Sequence, residues 1–284
     1  MTETVRPRSW RMSPLLRGSV GLHLGAAAIA AAEPTLWPWT IAAVATNHAL
    51  LTASGLWPRS RWLGPNLLRL PPSAGACIAI TIDDGPDPAV TPAVLDLLEQ
   101  RGVHATFFCI GERVRAHGAL AREMVRCGHQ IENHSHRHAH HFSLSGPQSL
   151  QRELNDAQNA ISDVTGRLPV LFRAPAGLRN PLLEPVLARL GLHLTSWTRR
   201  GFDTRVQDPD RVLTRLTAGL GAGDILLLHD GHCARTSAGR PVLLDVLPRL
   251  LDQAQSLGLT CMRVADALDG VPAVEGLQPS MRAG

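Results

Sequence analysis

Cys77-Ile78-Ala79-Ile80-Thr81-Ile82-Asp83-Asp84-Gly85-Pro86 is the stretch whose reading decides the fold. Its apolar run over 77–82 reads as a buried strand, and Gly-Pro stops the strand and turns the chain. Two adjacent carboxylates, Asp83 and Asp84, then stand at the C-terminal end of a strand, where α/β enzymes place their chemistry. Neighbouring aspartates repel and are costly to bury together unless solvent, a metal or a cation is near. A solvated Asp-Asp-Gly turn also fits the hexapeptide Thr81–Pro86. Residues further along the chain decide between the two.

Working outward, strand-like runs recur at 77–82, 104–109, 129–133, 170–174, 192–197, 224–229 and 259–263. Helix-like periods fall between them at 90–101, 112–127, 148–165, 181–190, 209–220 and 240–256. Strand-helix alternation implies parallel pairing with right-handed crossovers. Seven units predict an α/β fold: a distorted (β/α)7-type barrel with parallel strands, its site at the strands' C-terminal ends. The third run ends in a histidine cluster, with five histidines (His134, His136, His138, His140, His141) in eight residues. His134 and His138 are four apart, so a helical turn here would put both imidazoles on one face as paired metal ligands. With Asp84 they make a two-His-one-Asp set that leaves positions open, as a catalytic site does. His136, His140 and His141 read as solvent-facing or as lying behind the ligands. Arg173 ends the fourth run, Trp197 ends the fifth with Asp203 after it, and Leu228-His229 ends the sixth. Polar groups on so many strand ends are hard to attribute to chance.

The 284 residues carry 28 arginines, no lysine and no tyrosine. Residues 1–70 hold seven arginines (Arg6, Arg8, Arg11, Arg17, Arg59, Arg61, Arg69) against Glu3 and Glu33, a net of +5. The other 214 residues are close to neutral. The high isoelectric point therefore belongs to the N-terminal segment, which argues against a nucleic-acid partner. Five cysteines with no CxxC pair read as core thiols rather than a disulfide framework or a cysteine-rich zinc site. From Gly18 to Trp57 only Glu33 is charged. That segment predicts a helical hairpin preceding the barrel and a membrane partner contacted through residues 18–57. The stretch from Trp37 to Trp57 is the better span by length, and tryptophans flank it. Arginines on both flanks favour a cytoplasmic main domain. The expected organisation is a basic leader and membrane hairpin over 1–70, the catalytic domain over 71–270 and a flexible tail over 271–284.

Over about residues 77–265 the chain resembles the polysaccharide deacetylase family, also called the NodB-homology or carbohydrate esterase 4 family. Thr81–Pro86 resembles its T-F-D-D-G-P motif with Ile for Phe, and His134–His138 its H-[ST]-x-x-H. Arg173–Gly177 resembles R-x-P-[YF]-G, but with Ala176 where an aromatic is usual. Trp197 with Asp203, and Leu228-His229, are similar to the last two motifs. The resemblance implies a divalent metal, usually zinc, on Asp84, His134 and His138. It implies that Asp83 is the base that activates water, paired with Arg173, and that His229 is the general acid, oriented by Asp203. The backbone N–H of Ala176 would hold the oxyanion, and Trp197 and Leu228 would wall the acyl methyl. The implied reaction removes an N-acyl group, usually acetyl, from an amino sugar at a bacterial inner membrane. Ala176 and the absence of tyrosine favour a small or lipid-linked amino sugar over a long polymer. Two other readings are a catalytically silent carbohydrate-binding domain and a phosphoester hydrolase. The sequence leaves the oligomeric state open.

Overall fold

The computed structural model describes residues 7–269. Arg6 of the basic leader and the tail expected over 271–284 lie outside the described residues. Ser13 opens the first helix, accepting a hydrogen bond from Leu16 N, and Pro14 holds its first position. That helix, α1 (Pro14–Ala32), is joined by one 3-10 turn to α2 (Trp37–Leu56), and the two pack side by side. Their seam is polar. Asn47 donates to Ser19 Oγ at 2.8 Å, and the His23 and His48 rings meet through their Nε2 atoms at 3.2 Å. Most of the remaining surface is apolar and exposed, including Leu24, Ile29, Trp37, Trp39 and Ile41.

The sequence reading makes 37–57 the better span; the structure reverses this. Among the described residues α1 is the helix long and apolar enough to cross a membrane, with a mean hydropathy of 1.4. Three threonines, Asn47, His48 and the Trp-Pro-Trp start dilute α2, and indoles prefer the interface to the hydrocarbon.

The main body alternates as the sequence predicts. It runs β1 (Cys77–Asp83), α3 (Thr91–Gln100), β2 (Thr106–Cys109), α4 (Gly111–Ala116), α5 (Gly118–Arg126), β3 (Gln130–Asn133), α6 (Pro147–Thr165), β4 (Leu171–Phe172), α7 (Leu183–Arg189) and β5 (His193–Leu194). It continues with β6 (Arg199–Arg200), α8 (Pro209–Thr217), β7 (Ile225–His229), α9 (Val242–Ser256) and β8 (Thr260–Cys261). Every strand pair is parallel, in the order β5-β4-β3-β2-β1-β7-β6, with β8 beside the start of β1. The result is a curled parallel sheet with flanking helices, a half-barrel rather than a closed one.

Two details differ from the sequence reading. The helix expected over 112–127 breaks at His117, which adopts φ −121° and ψ 45° ahead of Gly118. The run expected over 192–197 shrinks to the two-residue β5, and a further short strand, β6, follows it at the opposite edge of the sheet. A different stretch spans the gap between these edges. Leu67 bridges Thr195 just past β5, and Arg69 bridges Asp224 just before β7. Leu67 and Leu70 are buried in the inner apolar cluster with Phe108, Trp197 and Leu227.

Burial follows the strand period of two. Ile78, Ile80 and Ile82 of β1 and Leu226 and Leu228 of β7 face the outer core beneath the helices. Ala79, Ile225 and Leu227 face the inner cluster. The same alternation turns Thr81, Asp83 and His229 inward.

Candidate active site

The parallel register sets Asp83 directly opposite His229, so two inward side chains of β1 and β7 stand together at the strand ends. Arg173 follows β4 and is fully buried. Its Nη1 donates to Asp83 Oδ1 at 2.6 Å and to Thr81 Oγ1 at 2.8 Å. Its remaining donors reach the carbonyls of Thr195 and Ser196. Its guanidinium lies 4.0 Å from the centre of the Phe108 ring. A fork held at every arm gives the Asp83 carboxylate one orientation.

His229 donates from Nδ1 to Asp203 Oδ1 at 2.9 Å, and the backbone N–H of His229 donates to Asp203 Oδ2 at 2.7 Å. The ring's other nitrogen is thereby left for the cavity. Burial disfavours the charged imidazole, but the charge and hydrogen bond of Asp203, with Asp83 and Asp84 behind it, raise its pKa to about 9.

The loop after β3 carries His134 and His138. The chain does not turn helical there, so spacing on one helix face is not what brings the rings together. Ser135 and His138 take positive φ, 62° and 53°. Asn133 Oδ1 accepts from Ser135 N, Ser135 Oγ accepts from His138 N, and Glu153 accepts from the backbone of His136 and Arg137. This folded loop sets the two ring centres 4.9 Å apart. His134 donates from Nδ1 to the Arg173 carbonyl at 2.8 Å, which aims Nε2 at Asp84 Oδ1, 3.3 Å away. His138 Nε2 lies 3.4 Å from the same oxygen.

One donor atom from each of Asp84, His134 and His138 falls within a 4.8 Å cluster, an arrangement able to hold a divalent metal. Asp84 Oδ1 is buried with no hydrogen-bond partner, which a carboxylate oxygen tolerates when a cation completes it. Burial alone would raise the Asp84 pKa, but the close approach of the His134 ring and the hydrogen bond from His232 hold it far below the carboxylate range. Burial and the neighbouring His134 push His138 down to about 4, the neutral form a metal requires. The donor set fits the metal that the sequence suggests.

A cavity of about 320 Å³ opens over these groups, lined by Asp83, Asp84, His134, His138, His229 and Trp197 among others. Ala176 lines it too, at φ 54°. Leu228 does not. It faces the outer core, and Leu227 lines the cavity instead. The physical reason is the period of two: a residue next to inward-facing His229 must face outward. His140 reaches the cavity wall, His141 is exposed and His136 is buried.

Sequence reasoning missed three residues. His232 donates from Nδ1 to Asp84 Oδ2 at 3.2 Å, and Arg113 donates to the Asp84 carbonyl at 2.9 Å and to His232 Nε2 at 3.3 Å. The available signal for His232 was its place two residues beyond Asp230 in the same strand-end loop. Arg200 lines the cavity, and its strand, β6, was not anticipated.

The chain is similar to known proteins. A family model, polysaccharide deacetylase, matches residues 71–195. The chain is 35% identical over 184 residues to a peptidoglycan-N-acetylglucosamine deacetylase of Bacillus cereus, covering 64% of this chain and 85% of that one. It is 34% identical over 200 residues to a chitooligosaccharide deacetylase of Sinorhizobium fredii, covering 67% and 93%. Among solved structures, a family 4 carbohydrate esterase from Streptomyces lividans, in complex with acetate, superposes with a TM-score of 0.59 at 30% identity, covering 66% of this chain and 92% of that one. The chain belongs to the polysaccharide deacetylase family.

Proposed function

We propose that the protein is a metal-dependent amidohydrolase that removes an N-acyl group, most simply acetyl, from an amino sugar. The observation that carries this is the convergence of Asp84, His134 and His138 on one point beside two separately anchored proton carriers, Asp83 and His229. Two imidazoles and one carboxylate with open positions suit Zn²⁺. The bound cation would supply Lewis acidity to the acyl carbonyl.

This chain's residues supply the rest. Asp83, fixed by Arg173, takes a proton from the attacking water. His229, fixed by Asp203, gives a proton to the departing amine, which is a poor leaving group until protonated. A raised imidazole pKa keeps that proton available at neutral pH. The backbone at Ala176 would face the developing oxyanion, and Trp197 with Leu227 would wall the acyl methyl. Nothing in the site favours a silent binding module, which would have no use for an acid and a base both held in place.

The anchor is part of the reading. α1 and α2 would insert in a membrane as a hairpin, with the catalytic domain of 71–270 on the cytoplasmic face. Exposed tryptophans near the helix ends (Trp10, Trp37, Trp39, Trp57) and exposed Arg17, Arg59 and Arg61 support this.

The test is acetate release from a panel of N-acetylated sugars by full-length protein. Chelation should abolish turnover, and Zn²⁺ should restore it. Asp83→Asn should keep the metal and lose about 10²–10⁴-fold in kcat. Near-normal turnover by that variant with metal bound would sink the mechanism.

A further inference from the structure

We infer that the catalytic cavity is built for an amino sugar carrying a phosphoryl group, with Arg200 as the residue that reads it; this rests on the cavity being the amino-sugar site. The starting observation is an unpaired cation. Arg200 lines the cavity, and its Nε is buried with no hydrogen-bond partner. Among the described residues its guanidinium makes no direct ion pair, although the charges of Asp203 and Asp83 are felt there, and two aromatic rings lie beside it. It lies 5.5 Å from the Trp197 ring centre and 4.9 Å from that of Phe202.

The nearby carboxylates are committed elsewhere, Asp83 to Arg173 and Asp203 to His229. A buried N–H without an acceptor costs free energy. Two aromatic rings beside the guanidinium restrict how far it can swing. A held, unpaired fork at a cavity wall awaits an anionic acceptor, and its geometry matches phosphate oxygens bidentately. A second cation, Arg205, stands exposed at the same cavity. A neutral N-acetylated sugar has no use for either charge.

The direction from which that phosphate arrives is set by the base of α2. Gly177, on the cavity wall, has φ 75°, and a Cβ there would come within 2.7 Å of both Pro58 and the Trp197 ring. Ser196 donates to the Pro58 carbonyl at 2.8 Å, and Arg59 donates to the Thr198 carbonyl at 3.2 Å, two residues before Arg200. Gly55 of α2 meets the Arg179 carbonyl so closely that a Cβ would lie 2.2 Å from its oxygen. The C-terminal end of α2 and the residues just after it thus dock on the rim that displays Arg200. A phosphoryl linkage between an amino sugar and a lipid carrier would lie on this rim, with the sugar inward and the lipid along the helices.

The experiment measures binding to full-length protein in micelles. The probes are methyl N-acetylglucosaminide, N-acetylglucosamine 1-phosphate, its long-chain alkyl phosphodiester, UDP-N-acetylglucosamine and inorganic phosphate. The expected result is that both N-acetylglucosamine phosphates bind about tenfold or more tighter than the neutral glycoside. The alkyl diester should bind tightest. Arg200→Gln should erase the preference for phosphate, and Arg205→Gln, at an exposed position that folding tolerates, should reduce it. Equal binding of neutral and phosphorylated sugars by the unaltered protein overturns the inference, as does a preference that survives Arg200→Gln. Inorganic phosphate matching the sugar phosphates overturns it as well. Tighter binding of the nucleotide sugar than of the alkyl diester overturns the lipid carrier. An Arg200-dependent preference without acetate release supports the phosphoryl subsite and refutes the amidohydrolase reading, so the two fail separately.

Discussion

At the scale of single residues, the two aspartates of Asp83-Asp84 are separated by what touches them. Arg173 takes Oδ1 of Asp83, whereas Asp84 turns Oδ1 to two imidazoles and Oδ2 to His232. Arg113 donates to His232 Nε2, which leaves the imidazole proton on Nδ1, where it can donate to Asp84. His232 therefore fixes which carboxylate oxygen faces the metal position. Groups that orient a ligand in this way affect metal affinity by about 10–100-fold. His232→Ala should weaken zinc binding by that order in chelator competition, with the fold intact by circular dichroism; unchanged affinity would remove the role. Residue types and spacing made Asp84, His134 and His138 legible as ligands, because few combinations outside metal sites need them together. The reason offered for the histidine pair, one helix face, was wrong: an irregular loop with two positive-φ residues does the work, and no periodicity encodes such a loop. Leu228 was misplaced for want of applying strand alternation to a motif. His232 was missed because its partner lies 148 residues away, and Arg200 because it sits on a two-residue strand that the pattern did not show.

At the scale of elements, the strands and helices that flank the site were legible because each carries its own period. The edge connections were not, since β4, β5 and β6 are two residues each and too short to show one. Side chains stitch these short strands into the sheet. Glu132 on β3 accepts from Val170 N at 2.9 Å and Leu171 N at 2.5 Å, at the start of β4, and from Gln130 at 2.6 Å. Burial pushes the Glu132 carboxyl up to about 8, although these hydrogen bonds pull it back. An acid with a raised folded pKa holds more protons folded than unfolded. Its stabilising contribution is full below the ordinary value of 4.5 and is lost as pH rises through about 8. Asp230, raised to about 7 chiefly by burial, acts in the same direction. Glu132→Gln should flatten the fall in Tm between pH 5 and 8, because the amide keeps an acceptor for the two N–H groups and cannot ionise. Parallel Tm profiles for variant and unaltered protein would exclude Glu132 as the source. Glu132→Ala should cost about 1–3 kcal/mol for each N–H it leaves unsatisfied.

At the scale of the whole molecule, the N-terminal segment and the sheet are not independent pieces. Arg8, ahead of α1, donates its backbone N–H to the Ala188 carbonyl and pairs with Glu184 at 3.0 Å. Part of the basic charge that flanks the apolar helices is therefore spent on the catalytic body. Beyond α2, Leu67 donates to the Leu194 carbonyl and accepts from Ser196 N, while Leu70 donates to the Gly223 carbonyl. Arg69 pairs with Asp224 at 2.5 Å. None of this shows in the sequence, because 58–70 has no strand period and the partners of Leu67, Arg69 and Leu70 are 127 to 155 residues away. It bears on where the chain can be cut. A protein beginning at residue 71 loses buried Leu63, the inner cluster's Leu67 and Leu70, and the bridges across the open side of the sheet, beside Trp197. A protein beginning at residue 58 keeps them; both forms lose the helices and the Arg8 contacts. Leu67 and Leu70 alone are worth about 3–6 kcal/mol, so urea unfolding should show the shorter form less stable by at least that order. The difference should also reach the chemistry, since Arg173 donates two of its hydrogen bonds to the carbonyls of Thr195 and Ser196, the residues that Leu67 pins. The 71–284 form should lose turnover even on a soluble N-acetylated sugar, and the 58–284 form should keep it. Equal midpoints and equal turnover for the two would mean that the stretch from 58 to 70 only tethers the domain.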